Sequence, residues 1–434
     1  MRWNSTAVAE PPRLGWYGDD FTGATDTLAS LAREGQRAML FLRIPTPAEL
    51  AAAGELDAVG IAGAARAMSP LAMAVELDPV GRFFAGLGVR VLHYKTCSTF
   101  DSAPDTGNIA TAIAVLQRAF PQRFVPIIGG QPNIGRYCLF STLFAAAGSG
   151  GEVHRIDRHP TMSVHPVTPM AEADLRRHLA HLGLPGVSGV HYPAYAAGLE
   201  AQIGPDAEAV LFDVTTASDL AVIGTLIWKR AQSAPLLAVG PSSVAQAVVS
   251  AWPPAPPPAP FMLPPAEGAV FVMVGSLSPV TRAQVEAARS FTHLEITDAM
   301  LAGDDAALAD LCRAAIALLR DGKPVLVQTA SPDPLGNTSA LTAQVSRMTA
   351  DFVLAVMAHT RLARMCIAGG DTSSQAALAM DAWGLAYLAQ LSPGVTLCRL
   401  RSNSPSLNGM EIVLKGGQMG QIDLFETLLH GDAA

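Results

Sequence analysis

The chain of 434 residues is poor in aromatic side chains (6%) and in charge (15%), and it carries only five cysteines. Cys97, Cys138, Cys312, Cys366 and Cys398 are scattered, odd in number and never spaced as CxxC. That excludes a disulfide framework and the usual zinc sites, and makes a reducing cytoplasm the expected compartment. Basic residues are the minority, 29 Lys and Arg against 37 Asp and Glu for a net charge of -8, which argues against a partner with a phosphate backbone. Uninterrupted apolar runs are also missing: stretches such as Pro235–Ala251 are broken by Gly, Pro and paired Ser before they could cross a hydrocarbon layer of roughly 30 Å. The opening residues 1–13 have neither the charged nor the apolar region of a secretory signal and read as a short disordered tail. Neither nucleic acid nor membrane is expected as a partner.

Several catalytic signatures are absent too. No Walker A or protein-kinase loop occurs, and Gly322–Lys323 is followed by Pro324 rather than a hydroxyl residue. HExxH is missing, so His159 and His165 in RIDRHPTMSVHPVTPM read as hydrogen-bonded loop histidines before metal ligands. Ser242 and Ser243 lack the closing Gly of a nucleophile elbow.

What is present is a half-hydrophobic chain (50%), long enough for about two domains. The segment Trp252–Gly268, WPPAPPPAPFMLPPAEG, is too rich in Pro for helix or sheet and reads as a stiff spacer. It divides an N-terminal domain, 1–251, from a C-terminal one, 269–434, with 252–268 as the linker. In the first, short β-branched runs (Leu14–Tyr17, Arg37–Leu42, Ala58–Ala62, Val89–Tyr94, Phe124–Ile128, Ala209–Asp213, Leu236–Val239) alternate with helical patterns at Thr22–Glu34, Leu71–Ala85 and Ile109–Ala119. In the second, strands are expected at Ala269–Val274, Pro324–Thr329, Met365–Ala368 and Met410–Leu414, with helices at Pro279–Phe291, Ala340–Arg361 and the C-terminal end. The pattern predicts two α/β domains, each with a mainly parallel sheet flanked by helices, facing across a cleft.

Candidate chemistry gathers where these strands end. GDDFTGATDT places Asp19, Asp20 and Thr22 between a strand and a helix, where parallel sheets hold ligands. Two adjacent carboxylates suit proton abstraction from a hydroxyl, although Asp20 or Thr22 would also serve as a helix cap. YKTCSTFDSAPDTGNI offers the Lys95 ammonium and the hydroxyls of Ser98 and Thr99 to an anionic group, and would otherwise be a solvated polar loop. GSLSPVT (Gly275–Thr281), AGGDTSSQ (Ala368–Gln375) and LKGGQMGQ (Leu414–Gln421) each combine glycines with hydroxyls or an amide. Bare amides at Gly369 and Gly370 before a helix suit a nucleotide phosphate, and the same residues also make an unliganded turn and cap.

In this order the motifs GDDFTGATDT, KTCSTF with GN, GSLSPVT, GGDTS and LKGG resemble those of the four-carbon acid sugar kinase family. The resemblance implies an N-terminal domain that binds a sugar acid and a C-terminal domain that binds ATP with Mg²⁺. The reaction implied is phosphorylation of a tetronate such as threonate, erythronate or 3-oxo-tetronate. Carried over by motif, Asp19, Asp20, Thr22, Arg66, Lys95, Ser98 and Arg136 would face the acid, with Asp20, assisted by Asp19, taking the hydroxyl proton and with Lys95 and Arg66 on the carboxylate. Ser276, Ser278, Gly369, Gly370, Asp371, Thr372, Gly416 and Gly417 would hold the nucleotide. Cys97 stands where the family usually has Asp, and GGQPNIGRY (129–137) also departs from the family pattern while keeping Gly135 and Arg136. A non-catalytic sensor of an acidic metabolite and nucleotide, and a metal-dependent hydrolase or lyase, are the rival readings. Sugar acid and ATP are the expected partners, with a homodimer as one option.

Overall fold

The computed structural model describes residues 10–432, apart from 149, 166, 205, 257, 260, 276–277 and 330–338. Most of the expected N-terminal tail thus lies outside the described residues. By packing, the chain divides into Met1–Pro258 and Ala259–Ala434, and the division falls inside the Pro-rich segment.

The first unit contains β1 (Leu14–Gly18), β2 (Ala38–Phe41), β3 (Ala58–Ala62), β4 (Val91–Lys95), β5 (Val125–Ile128), β6 (Arg136–Leu139), β7 (Thr142–Ala146), β8 (Val153–Arg155), β9 (Ser188–Val190), β10 (Ala209–Phe212) and β11 (Leu236–Gly240). Its main sheet runs β2-β3-β1-β4-β11-β5-β10-β9, with every pairing parallel. Such strands are covered on both faces, and β1 is accordingly buried along its whole length. Helix Phe21–Arg33 follows, burying Phe21, Ala24, Leu28, Leu31 and Ala32 on one stripe.

The second unit contains β12 (Ala269–Val274), β13 (Thr292–Ile296), β14 (Val325–Thr329), β15 (Leu362–Ala368), β16 (Gly384–Ser392), β17 (Val395–Arg401) and β18 (Glu411–Lys415). Their order is β13-β14-β12-β15-β18-β17-β16. The first five are parallel, and β17 pairs antiparallel with both β18 and β16. Val270, Val272, Leu326, Cys366, Val413, Phe425 and Leu428 pack together in its core.

Both units are α/β, as the alternation predicts. Elements the alternation does not predict include the antiparallel sheet β6-β7-β8, strands β9, β13, β16 and β17, and the helices Pro47–Ala53, Leu175–His181, Ala217–Ser233, Ser243–Ser250 and Asp305–Arg320. The helix expected to reach Phe291 stops at Ala287. No helix among the described residues is long and apolar enough to cross a membrane.

Candidate functional site

In the first unit β3, β1 and β4 lie side by side in parallel register, with Gly18 opposite both Ala62 and Lys95. The chain leaves β1 for β2 and β3 on one side, while β4 lies on the other. That reversal is a topological switch point, and its carboxyl edge is where doubly wound sheets hold ligands. Asp19 and Asp20 follow β1, Arg66 follows β3, and Lys95 closes β4, so three separate stretches of chain deliver four charges to one edge.

The two aspartates are held differently. Arg66 grips Asp19 side on, with Nη2 3.0 Å from Oδ1 and Nε 3.3 Å from Oδ2. Asp20 is the N-cap of helix Phe21–Arg33: its Oδ1 accepts from the Gly23 amide at 3.1 Å and from Lys95 Nζ at 3.2 Å, and lies 2.8 Å from Arg66 Nη2. Its other oxygen accepts from the Thr22 hydroxyl. Burial raises the carboxyl of Asp20, but Arg66, Lys95 and Thr22 outweigh it and hold the group well below the usual carboxylate range. At Asp19 burial prevails over Arg66 and Lys95, and the Asp20 charge adds to it, so that carboxyl is raised. Opposite shifts on adjacent carboxylates are the kind of asymmetry that can separate a fixed anion from a proton acceptor.

The cations are likewise unequal. Lys95 keeps 5% of its side chain exposed and Arg66 keeps 22%, so Arg66 is the one with a face toward solvent. Sequence reasoning assigned both to a substrate carboxylate, whereas the structure places both against the aspartates.

The loop after β4 is buried at Ser98, Thr99, Asp101 and Ser102. Cys97 Sγ lies 3.0 Å from Thr99 Oγ1, which donates to Asp101 Oδ1 at 2.6 Å. Burial, reinforced by Asp101, pushes the Cys97 thiol up to about 11, so it stays neutral. Asp101 was missed in the sequence, where it reads as one more loop polar residue. Burial raises it, yet Arg66, His165 and the bonds from Cys97 and Thr99 bring the net shift downward. Gly107, at φ 61, packs under Arg66, since a Cβ there would lie 2.5 Å from the Arg66 carbonyl oxygen. Asn108 caps helix Ile109–Leu116 and also donates to Leu182 O at 3.0 Å.

Other sequence candidates make no direct bond to the two aspartates, although His165 reaches Asp101 through the Thr168 hydroxyl. The Arg136 guanidinium is buried and donates to the carbonyls of Ile134 and Ala146, both at 3.0 Å, fastening the turn before β6. His159 is buried and accepts from the amides of Thr161 and Met162, and His165 accepts from Thr168, so both pin loop backbone. Ser242 and Ser243 are fully buried. Asp26, also passed over, is buried within the first helix and accepts from Gln131 Nε2 at 2.8 Å, which ties GGQPNIGRY to that helix. A carboxylate amid the apolar stripe of an amphipathic helix was the available signal.

In the second unit the motif glycines close neighbouring strands: Gly275 follows β12, Gly369 follows β15, and Gly416 with Gly417 follows β18. Gly275 N donates to Ala368 O and Gly369 N to Lys415 O, each at 2.9 Å. Gly369, at φ 131, precedes helix Gly370–Ala379. A Cβ on Gly275 would lie 2.2 Å from Thr372 Oγ1, whereas one on Gly370 would meet, beyond its chain neighbours and its own helix backbone, nothing within 4 Å among the described residues. The turn is therefore packed behind Gly275 and open before Gly370, where an anion would meet the positive end of the helix. Ser278 caps helix Pro279–Ala287 and donates to Gly417 O, as does Thr281 at 2.6 Å. Thr372 is buried at the helix start. Ser276 and the Asp371 side chain, both nucleotide candidates, lie outside the described residues.

Comparison with known proteins gives each unit a counterpart. A model described as a sugar-binding N-terminal domain matches residues 14–248, and one described as a nucleotide-binding C-terminal domain matches 271–425. The chain is 36% identical to a 3-oxo-isoapionate kinase of Paraburkholderia graminis, over 99% of this chain and 97% of that protein. It is 29% identical to a 3-oxo-tetronate kinase of Burkholderia multivorans, over 98% of each. A solved Salmonella typhimurium LT2 structure shares the fold at a TM-score of 0.75 and 22% identity, covering 95% of this chain and 98% of that one.

Proposed function

The chain belongs to the four-carbon acid sugar kinase family, and from that premise we propose that it transfers the γ-phosphoryl group of ATP to a hydroxyl of a small 3-oxo sugar acid. In this reading 1–251 bind the acid, 252–268 form the linker, and 269–434 bind the nucleotide. The relative at 36% identity favours 3-oxo-isoapionate as the acceptor, ahead of 3-oxo-tetronate. Five free cysteines among the described residues support a reducing, cytoplasmic setting.

The observation that carries the mechanism is the unlike pair at the β1 edge. A base must be ionised yet willing to take a proton, and a raised carboxyl meets that need better than one held far below it. Asp19 is therefore the proton acceptor. Asp20, which the motif alone put first, is the anion that caps the helix and fixes Lys95. Arg66 uses Nε and Nη2 on the aspartates, and its partly exposed face meets the carboxylate of the acid. Phosphoryl transfer asks mainly for alignment and charge neutralisation. The amides at Gly369 and Gly370 supply part of that neutralisation to the triphosphate. Mg²⁺ would be held chiefly by the nucleotide phosphates and water, with at most one or two protein carboxylates, and would supply further charge neutralisation there.

A coupled assay for ADP release tests this over 3-oxo-isoapionate, 3-oxo-tetronate, threonate and erythronate. Turnover with one of the 3-oxo acids is expected. Binding of acid and ATP without ADP release would instead make the protein a sensor.

A further inference from the structure

Lys415 ends β18 with its side chain fully buried. Its ammonium donates to Thr281 Oγ1 at 2.9 Å, and Thr281 donates onward to Gly417 O at 2.6 Å. Its own carbonyl accepts from Gly369 N. One residue thus joins the strand end, the glycine turn after it and the turn before helix Gly370–Ala379.

Of the other buried cations, Arg136 is held by backbone carbonyls, and Lys95 and Arg364 have carboxylate partners. Lys95 has Asp20 at 3.2 Å, and Arg364, one strand over from Lys415, has Glu411 at 2.6 Å. Lys415 forms no ion pair among the described residues. Its titratable neighbour is the Cys366 thiol of β15, which burial pushes up to about 12 and so leaves without charge. The helix Pro279–Ala287 contributes the Thr281 hydroxyl, which does not titrate. Burial, with no counter-charge among the described residues, brings the Lys415 ammonium down to about 8. A buried charge lacking its partner is costly, and it persists where the missing partner is a ligand.

We propose that Lys415 is the electrostatic floor of the nucleotide's phosphate site, a buried ammonium beneath the Gly369 and Gly416 turns whose counter-charge is the bound triphosphate. It is a positioning residue: it holds Thr281, and through it the glycine turn, while its field favours the polyanion. This rests on assigning the second unit to the nucleotide.

The test is calorimetric titration of the full chain with a non-hydrolysable ATP analogue and with adenosine, for wild type and Lys415→Met, alongside melting of each free protein. Lys415→Met is expected to melt at or above the wild-type temperature, because a desolvated charge has been removed. Its affinity for the ATP analogue should fall roughly tenfold to a hundredfold, with that for adenosine within about twofold. In wild type, titrations near pH 8 in buffers of different ionisation enthalpy should show proton uptake on binding the analogue, since the phosphates favour the charged amine. Equal analogue affinity in both proteins, or an equal loss for analogue and adenosine, overturns the proposal. So does the absence of proton uptake in wild type, a readout that does not depend on the variant folding. Wild type that binds neither ligand defeats the nucleotide assignment first and this inference with it.

Discussion

Arg66 meets Asp19 as a fork, two nitrogens against two carboxylate oxygens at 3.0 and 3.3 Å. The guanidinium therefore fixes the direction in which that carboxylate points as well as lowering its proton affinity. Lysine offers a point charge without the fork. Arg66→Lys should leave the fold intact, move the acidic limb of the kcat/KM profile to higher pH as Asp19 rises further, and raise KM for the acid. A pH–rate series on both proteins checks the direction, and an unmoved limb would dissociate Arg66 from the base.

Gly23 makes room for Lys95, because a Cβ there would lie 1.4 Å from Nζ and 2.6 Å from Asp20 Oδ1. Alanine is favoured over glycine in a helix by about 1 kcal/mol, so local propensity works against any loss of stability. Gly23→Ala is expected to displace the ammonium and cut turnover at least tenfold, with ATP affinity retained. Normal turnover would show that the Lys95–Asp20 pair is not needed.

The second unit offers the complementary case. Gly370→Ala adds a methyl that, among the described residues and apart from its chain neighbours and its own helix backbone, meets no atom within 4 Å, so the melting temperature should hold or rise slightly. The methyl enters the space assigned to phosphate, and ATP affinity should fall severalfold in a titration. Unchanged affinity would move the phosphates elsewhere.

β4 carries a fully buried His93 whose Nε2 donates to Gly240 O at 2.9 Å. Burial is the main cause that lowers it from its ordinary 6.5 to about 3. Its folded-state value is depressed, so its contribution is fully present above about pH 6.5 and is lost as pH falls toward 3, where only the unfolded chain takes the proton. The slope is about 1.4 kcal/mol per pH unit within that window. His93→Gln keeps a donor and should flatten that part of the denaturant-derived stability curve, whereas an unchanged slope would assign it to other groups.

How much of this was legible beforehand depends on the kind of signal. The parallel strands read clearly because burial on both faces makes them continuous apolar runs. The β6–β7 turn did not, since Phe140 (φ 49) and Ser141 (φ 65) take left-handed backbone without any glycine. Their amides are held by Asp213, at 2.7 and 2.9 Å, from just past the end of β10, and a window of neighbouring residues contains no trace of that support. β13, with its partly exposed pattern, lacks the same apolar signal. At the site, the motifs located Asp19, Asp20, Arg66 and Lys95, but the split between the two aspartates depends on which nitrogen reaches which oxygen. Asp101 acquires its place only when the loop folds against Arg66.

The division of labour at the β1 edge is tested most directly by comparing single-turnover phosphoryl transfer in Asp19→Asn and Asp20→Asn, with melting temperature and ATP affinity measured on each. Asp19→Asn should melt like wild type, bind ATP normally and lose about 10²- to 10⁴-fold in rate. Asp20→Asn should lose stability, since it weakens the charge that holds Lys95 and Arg66, while keeping more of the rate. A fast Asp19→Asn enzyme beside a dead but well-folded Asp20→Asn enzyme would contradict the account and return the base to Asp20.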